Sequence, residues 1–145
     1  FGYMLGEHGS IGFIPWSICN VCGLDVDTYC RLNNIPPVDK AAIQQSVLSV
    51  GYDIFNRKGN TNHGIAASVF RMIRAIETNE HSVLPVGVCL ENQYGVNDVV
   101  MSVPCVIGRN GVEKILNYPF TEDELAAFKR SEAHLREMIE LAQSF

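Results

Sequence analysis

The tripeptide Arg109-Asn110-Gly111 restricts what this chain can fold into more than any other segment. It separates two runs typical of β-strands, 99–108 and 112–118, and Asn and Gly accept the positive φ values that a tight hairpin requires. A third run of this kind covers 82–91. We therefore predict antiparallel strands in this half of the chain. Pro104 has no N–H to donate, which predicts an edge position or a bulge in its strand.

Helical spacing marks the region before these strands. Between a candidate cap, Asp39, and a candidate stop, Gly59, apolar residues recur at steps of four, three and four: Ile43, Val47, Val50 and Ile54. A second helix is predicted after Thr61 or Asn62, either of which could cap it, with the stripe Ile65, Val69, Met72, Ile73 and Ile76. We expect four of these five residues to lie in the core.

The two ends of the chain complete the secondary-structure prediction. Thr121 and Glu124 have the spacing of a capping box, which predicts a terminal helix with its inward positions at Leu125, Phe128, Leu135, Met138, Ile139 and Ala142. Near the start, residues 13–21 predict a strand that ends at Gly23. For residues 25–34 we predict a short helix or an irregular segment.

These patterns predict an α+β fold in which long helices pack on antiparallel strands. The βαβ alternation of a dinucleotide-binding fold is absent, and so is a GxGxxG motif, because Gly59 and Gly64 lack a third glycine and a preceding strand. A length of 145 residues suits one domain, 1–145, and 47% hydrophobic against 19% charged residues is an ordinary globular balance. The first residue is Phe1 rather than methionine, so we expect a longer parent protein.

Charge and hydropathy exclude several classes of function. The net charge is −5 and Lys and Arg form no cluster, which argues against nucleic-acid binding. No apolar run approaches the roughly 18 residues of a membrane span, and none follows a basic segment as in a signal peptide. We expect neither a membrane span nor a nucleic-acid partner.

Five cysteines cannot all pair, and in a chain of this size they indicate a reducing compartment such as the cytoplasm. Cys19 and Cys22 form a CxxC motif, which suggests a zinc or redox site. No second CxxC follows, although tetrahedral zinc needs four ligands, and a small buried thiol explains Cys19 more simply. We expect no metal. A non-catalytic module built on these thiols, or on protein interactions, is the alternative from another functional class.

The segment Gly6-Glu7-His8-Gly9 contains the first candidate for chemistry. Glycines on both sides leave the backbone open, so the His8 imidazole can face a cavity that a ligand approaches closely. A lone histidine is more often a surface or satisfied core residue. From these four residues alone, His8 is one candidate among such alternatives.

Gly51 is the second candidate, because it interrupts a helix. A glycine at an interior helical position costs about 1 kcal/mol relative to alanine. Something should compensate, either another element packed closely against it or space left for a ligand. Close packing is the commoner reason.

Several segments together resemble the NAD-dependent L-lactate dehydrogenases of the lactate/malate dehydrogenase superfamily. They occur in the order and roughly the spacing of that family's C-terminal substrate domain, and the resemblance covers nearly the whole chain. The matching segments are Gly6-Glu7-His8-Gly9 with Pro15-Trp16-Ser17, Lys58 to Ala66, Tyr94-Gly95, Ser102 to Gly108 and Asn110-Gly111-Val112.

The resemblance implies a role for each candidate residue. His8 corresponds to the histidine that exchanges a proton with the 2-hydroxy or 2-keto acid substrate, and Thr61 to a threonine of the substrate pocket. Val50 and Gly51 fall on the pocket wall, and Ile65 corresponds to a residue that packs on the nicotinamide of NAD. The alternatives from the residues themselves are a helix cap for Thr61 and a core position for Ile65. The family's N-terminal Rossmann domain, substrate-binding arginine and histidine-bound aspartate would lie outside this chain.

Departures from the family pattern narrow the prediction. Ser10 and Ile11 stand where the family has Asp followed by Ser or Thr, so a carboxylate beside the histidine is lost. Allosteric members have a histidine at the position of Phe1, whose apolar ring cannot bind phosphate, so we expect no fructose-bisphosphate activation. Glu7 favours a lactate enzyme, since malate enzymes usually have glycine there. Malate and L-2-hydroxyisocaproate dehydrogenase are the alternatives, and we expect a homodimer or homotetramer in the parent.

Overall fold

The computed structural model describes residues 1–145, with four helices and two antiparallel sheets. In chain order the elements are β1 (Asn20–Val21), β2 (Leu24–Asp25), α1 (Val26–Leu32), α2 (Lys40–Lys58), α3 (His63–Glu77), β3 (Ser82–Gln93), β4 (Val96–Gly108), β5 (Gly111–Ile115) and α4 (Glu122–Gln143). The prediction of an α+β fold with antiparallel strands is confirmed.

The larger sheet has the order β3-β4-β5, with the long strand β4 in the middle. Gly108 pairs with Gly111 across the predicted hairpin, and Gly111 has a φ of +84°. The edge position expected for Pro104 is wrong, because β4 is the central strand. The alternative, a bulge in its strand, agrees with the structure, because the pairing of β4 with β5 shifts register between Val106 and Ile107. Pro104 pairs with Pro85. Its carbonyl accepts the N–H of Leu116 at 2.8 Å. The nitrogen and the carbonyl of a strand residue point toward the same neighbouring strand, so the N–H that proline lacks would lie beyond Ile115, where β5 has ended.

The core lies where α4 and the end of α3 meet β4. Its members on the sheet are fully or almost fully buried: Leu90, Val96, Val99, Met101, Val103, Cys105 and Ile107. Phe128 of α4 is completely buried and forms an edge-on contact with Phe13, with ring centroids 6.3 Å apart. Leu5 and Phe13 belong to the same core, so the segment between them is held at its two ends.

The predicted strand over 13–21 is wrong for most of its length. Phe13 forms an isolated bridge with Leu5, and only Asn20 and Val21 belong to a strand. Between them the chain turns, since the N–H of Ile18 donates to the Pro15 carbonyl at 3.1 Å. These apolar residues are therefore buried around a turn rather than along an extended strand.

The predicted ends of the helices agree with the structure. Asp39 caps α2 by accepting the N–H of Ala42 at 2.9 Å, and Gly59 ends it in the left-handed conformation, with φ of +80°. Asp25 caps the short helix α1, and Thr121 and Glu124 form the predicted capping box of α4. Asn62 occupies the cap position of α3 but makes no capping bond with its side chain.

The apolar stripes of the helices are more exposed than predicted. No residue of α2 is buried, and the stripe at Ile43, Val47, Val50 and Ile54 is 40–48% exposed. The prediction that four of five stripe residues of α3 are core is wrong, because Ile65, Val69 and Ile73 are exposed. On α4 the inward prediction holds for Phe128, which is fully buried, and for Leu135, which is partly buried against the core. It is wrong for four exposed residues: Leu125, Met138, Ile139 and Ala142. The stripes correctly identify the apolar faces of the helices, but the sheet of this chain covers only part of those faces. No helix in the structure combines the length and the apolar character that a membrane span requires.

Candidate functional site

The His8 loop, which we define as residues 6–13, is closed at its base and joined to the central strand. Leu5 and Phe13 exchange two backbone hydrogen bonds, of 2.9 and 3.0 Å. Gly6 exchanges two more with Ser102 of β4, of 3.0 and 2.9 Å. The loop therefore projects from a rigid sheet, and His8 is exposed at its tip.

Gly6 is required at the base of this loop for two reasons. Its φ is +88°, a conformation that side chains with a Cβ rarely adopt. A Cβ built on it would also lie 2.6 Å from the hydroxyl oxygen of Ser131 on α4. The loop backbone consequently rests directly against α4 at this point.

Two side chains brace the loop at the backbone of Ile11. The Glu7 carboxylate accepts the N–H of Ile11 at 3.0 Å, and the Ser131 hydroxyl donates to the Ile11 carbonyl at 2.7 Å. Glu7 is half-buried and lies beside His8 in the sequence. Its hydrogen bond to Ile11 gives it a structural role within the loop. Sequence reasoning missed Ser131. The only signal for it was a polar residue in phase with the inward positions Phe128 and Leu135.

A cavity of about 820 Å³ lies between the His8 loop and α2. Four of the predicted site residues line it together: His8 from the loop, Val50 and Gly51 from α2, and Thr61 from the turn before α3. The other lining groups are mainly apolar, among them Met4, Val47, Leu48 and Phe55. An apolar wall with a few convergent polar groups is the usual construction of a small-molecule site.

Contacts with the chain segment after the loop hold α2 in place. Gln44 of α2 accepts the N–H of Ile14 at 3.0 Å. The Lys40 ammonium lies 5.8 Å from the centre of the Trp16 ring and 2.6 Å from the Asp27 carboxylate. The first half of α2 is thus tied down, and its second half forms the cavity wall.

Gly51 faces open space within this chain. A Cβ built on it would meet no atom within 4 Å. No element of the chain packs against Gly51, so close packing within the domain does not explain the glycine. Its position on the cavity wall supports the other explanation, space for a ligand.

The turn that carries Thr61 is braced by Lys58, a contact that sequence reasoning missed. The Lys58 ammonium donates to the Asn62 side-chain oxygen at 2.8 Å and lies 2.7 Å from Nδ1 of His63. Nδ1 of His63 must be unprotonated to accept this bond. Thr61 does not cap α3, since Asn62 occupies that position.

Ile65 lies one helical turn beyond Thr61 and is not among the residues that line the cavity. It is 62% exposed, so the core position considered for it is wrong. The structure therefore brings together His8, Thr61, Val50 and Gly51 but leaves Ile65 on the open surface of α3.

A second cavity, of about 830 Å³, contains none of the predicted residues. Its one strong charge, Arg71, is already paired with Glu80 at 2.6 Å. Hydrogen bonds from Ser82 and Arg71 lower the pKa of the Glu80 carboxyl, which keeps this pair charged. We therefore place the candidate site at the His8 cavity, where the side chain suited to proton transfer has no ion-pair partner.

The five cysteines are all unpaired. Within the CxxC motif Cys19 is buried and Cys22 is exposed, so the two side chains have different surroundings. Burial raises the pKa of the Cys105 thiol in the core, which makes it unreactive. No group of three or more His, Cys, Asp or Glu side chains is arranged to hold a metal ion.

Comparison with known proteins identifies what this architecture resembles. A sequence model described as lactate/malate dehydrogenase, alpha/beta C-terminal domain, matches residues 2–145. The chain is 41% identical over 142 residues to L-lactate dehydrogenase 2 of Clostridium acetobutylicum, a match that covers 95% of the chain and 43% of that protein.

Two solved structures have a similar fold over the whole chain. The minor L-lactate dehydrogenase of Enterococcus mundtii in a ligand-bound form has a TM-score of 0.88 and 32% identity, over 97% of this chain and 45% of that one. The malate dehydrogenase of Archaeoglobus fulgidus in complex with NADH has a TM-score of 0.82 and 26% identity, over 97% and 43%. The chain thus spans less than half the length of these relatives.

Proposed function

The chain belongs to the lactate/malate dehydrogenase family as its α/β C-terminal domain, and on that premise we propose that its parent protein interconverts L-lactate and pyruvate with NAD. The observation that carries the proposal is the cavity that His8 lines together with Gly51 and Thr61. The named relatives support the reaction, since L-lactate dehydrogenases are the matches at about 40% identity.

His8 is proposed to hold and transfer the proton of the reaction. In the direction of pyruvate reduction, its imidazolium donates a proton to the keto oxygen, and the hydride that C2 accepts would come from NADH. In the reverse direction, the neutral imidazole removes the proton of the hydroxyl group, and the hydride that leaves C2 would pass to NAD. Histidine suits both steps because its ordinary pKa lies near neutral pH.

NAD would supply the hydride acceptor, and this chain fits only one end of that cofactor. The chain has no glycine-rich strand-to-helix turn for the pyrophosphate, which we assign to an N-terminal Rossmann domain of the parent. The exposed side chain of Ile65, one turn from Thr61, offers an apolar surface for the nicotinamide ring. The structure of the relative in complex with NADH supports this cofactor.

The substrate is proposed to be a small 2-hydroxy or 2-keto acid. The apolar wall at Val50 suits its side chain, while the Thr61 hydroxyl and the His8 imidazole supply polar contacts. By family resemblance, an arginine outside this chain holds the substrate carboxylate. His8 is the only basic side chain that lines the cavity.

Malate is the second candidate substrate, because two malate dehydrogenases share the fold with TM-scores of 0.82 and 0.85. Glu7 beside His8 favours lactate, since the malate enzymes usually have a glycine at this position. L-2-Hydroxyisocaproate remains the alternative with a larger side chain, and the open space at Gly51 would admit it.

We further propose a homodimer or homotetramer in the cytoplasm. The exposed apolar stripes of α2 and α3 supply surfaces that the parent protein would cover, either by its other domain or by another subunit. The five unpaired cysteines support a reducing compartment.

The test is an assay of the full-length parent enzyme. We expect NADH oxidation with pyruvate at a kcat/KM well above that with oxaloacetate, and a loss of at least about 10²-fold in kcat for His8→Asn. His134→Asn, the same change at a half-buried site on α4, is the matched control. Turnover of His8→Asn close to that of the control would refute the role of His8. Preference for oxaloacetate would favour the malate alternative.

A further inference from the structure

Ser131 is the only polar side chain in the chain that is fully buried, and it bonds to the His8 loop. It lies in the middle of α4, with 0% of its surface exposed. Its hydroxyl donates to the carbonyl of Ile11 at 2.7 Å, across 120 residues of sequence. A buried hydroxyl therefore connects the helix directly to the loop that carries His8.

The contact reaches the loop on both sides of His8. On one side, Ser131 lies so close to Gly6 that a Cβ there would be 2.6 Å from its hydroxyl oxygen. On the other side, it binds the Ile11 carbonyl, while the N–H of the same residue donates to Glu7. His8 therefore lies between Gly6, against which Ser131 packs, and Ile11, to which Ser131 donates a hydrogen bond.

We propose that Ser131 is a positioning residue that fixes the His8 imidazole at the cavity. The inference rests on the dehydrogenase function proposed above. Ser131 does not line the cavity, so it acts through the loop backbone rather than on the substrate. Without its hydroxyl, the Ile11 carbonyl loses its donor and the loop relaxes toward other conformations. Displacement of a catalytic group by about 1 Å can reduce the rate about 10²-fold.

A purely structural role for Ser131 would give a different result. If its hydroxyl served only to join α4 to the rest of the domain, Ser131→Ala would lower the unfolding midpoint and leave the active fraction with normal kinetics. A positioning role instead lowers kcat in fully folded enzyme. It also changes the environment of the imidazole itself.

The experiment compares Ser131→Ala with Ser144→Ala in the full-length enzyme. Ser144 is a matched control, since it lies at the exposed end of the same helix and its hydroxyl also donates to a backbone carbonyl, that of Leu141 at 2.6 Å. Both variants are assayed below their unfolding midpoints. For Ser131→Ala we expect kcat and kcat/KM for pyruvate to fall together by about 10- to 100-fold, with KM changed less than about twofold.

A spectroscopic readout is independent of turnover. The imidazole signal of His8 in a proton–carbon NMR spectrum is assigned by its disappearance in His8→Asn. We expect this signal to move in Ser131→Ala and to stay in place in Ser144→Ala. The spectrum needs no substrate, so it tests the positioning of His8 even if the enzyme turns over none of the acids tested. A lack of turnover would refute the proposed function but not the positioning role of Ser131.

Kinetics and imidazole signal that are equal in the two alanine variants would overturn the positioning role. If Ser131→Ala does not fold, Ser131→Cys takes its place in the same comparison, because its thiol is a weaker donor of similar shape. A reduced kcat with a displaced His8 signal would again support the proposal. Wild-type values for both would overturn it.

Discussion

The carboxylate of Glu124 joins the first turn of α4 to Ser17, which lies 107 residues earlier in the chain. It accepts the N–H of Ser17 at 2.9 Å and the hydroxyl of the same residue at 2.5 Å. It also completes the capping box by accepting the N–H of Thr121 at 3.0 Å. One carboxylate thus serves as a helix cap and as a link to the segment that follows the His8 loop.

Glu124→Gln is predicted to lower stability at neutral pH and to weaken its dependence on pH. Partial burial favours the protonated carboxyl, but hydrogen bonds from Ser17 and Thr121 outweigh it and lower the pKa. A lowered pKa stabilises the fold above the ordinary carboxyl pKa, and this contribution is lost as pH falls through the folded value. We expect a loss of about 1 kcal/mol at pH 7 that disappears in acid, measured by urea unfolding.

Glu122→Gln is the control for this prediction. Glu122 lies in the same first turn and has the same favourable interaction with the helix dipole, but it is exposed and makes no bond to Ser17. Equal losses in the two variants at pH 7 would mean that the dipole, and not the link to Ser17, is responsible.

Local signals in the sequence predicted the ends of the elements well. Asp39, Gly59 and Thr121 act through bonds to residues within four positions, so their neighbours in sequence determine them. The hairpin at Asn110-Gly111 is local for the same reason. The strand expected over 13–21 failed because its apolar residues are buried around a turn, and apolarity alone does not distinguish the two.

Long-range contacts could not be predicted in this way. The helical stripes correctly indicated apolar faces, but the sequence alone does not indicate which of them this chain covers. At the site, resemblance to the family identified His8, Thr61 and Gly51, which the structure brings to one cavity. Ser131 was missed because its partner Ile11 lies 120 residues away and the bond is to a backbone carbonyl, which any residue possesses.

The chain of residues 1–145 by itself is predicted to have no dehydrogenase activity. It has no glycine-rich turn for a dinucleotide, and His8 is the only basic side chain at its cavity. We expect no pyruvate-dependent oxidation of NADH above the blank, while circular dichroism reports the helices of the folded domain. The full-length enzyme at the same concentration is the positive control. Turnover by the purified chain would show that it binds both cofactor and substrate without a second domain.

Gly51 is predicted to determine how large a substrate the cavity accepts. It lines the cavity wall, and no atom beyond its chain neighbours and its own helix backbone lies within 4 Å of a Cβ built on it. A larger side chain would therefore enter the space that a substrate uses. In the parent enzyme, Gly51→Val should lower kcat/KM for 2-keto acids with long side chains more than for pyruvate. The loss of a few methylenes of space corresponds to about 1–3 kcal/mol, or roughly 10- to 200-fold discrimination.

Stability distinguishes this role of Gly51 from one in packing. Valine is tolerated in a helix better than glycine, so the thermal midpoint of Gly51→Val should stay constant or rise slightly. Gly64→Val is the matched control, since Gly64 is also helical and open within 4 Å but does not line the cavity. It should leave the ratio of kcat/KM between long and short substrates unchanged. The opposite outcome would be an equal loss of kcat/KM for long and short substrates in Gly51→Val, together with a sharply lower thermal midpoint. Valine would then disrupt packing rather than shorten the pocket, which would mean that Gly51 makes room for a neighbouring domain or subunit.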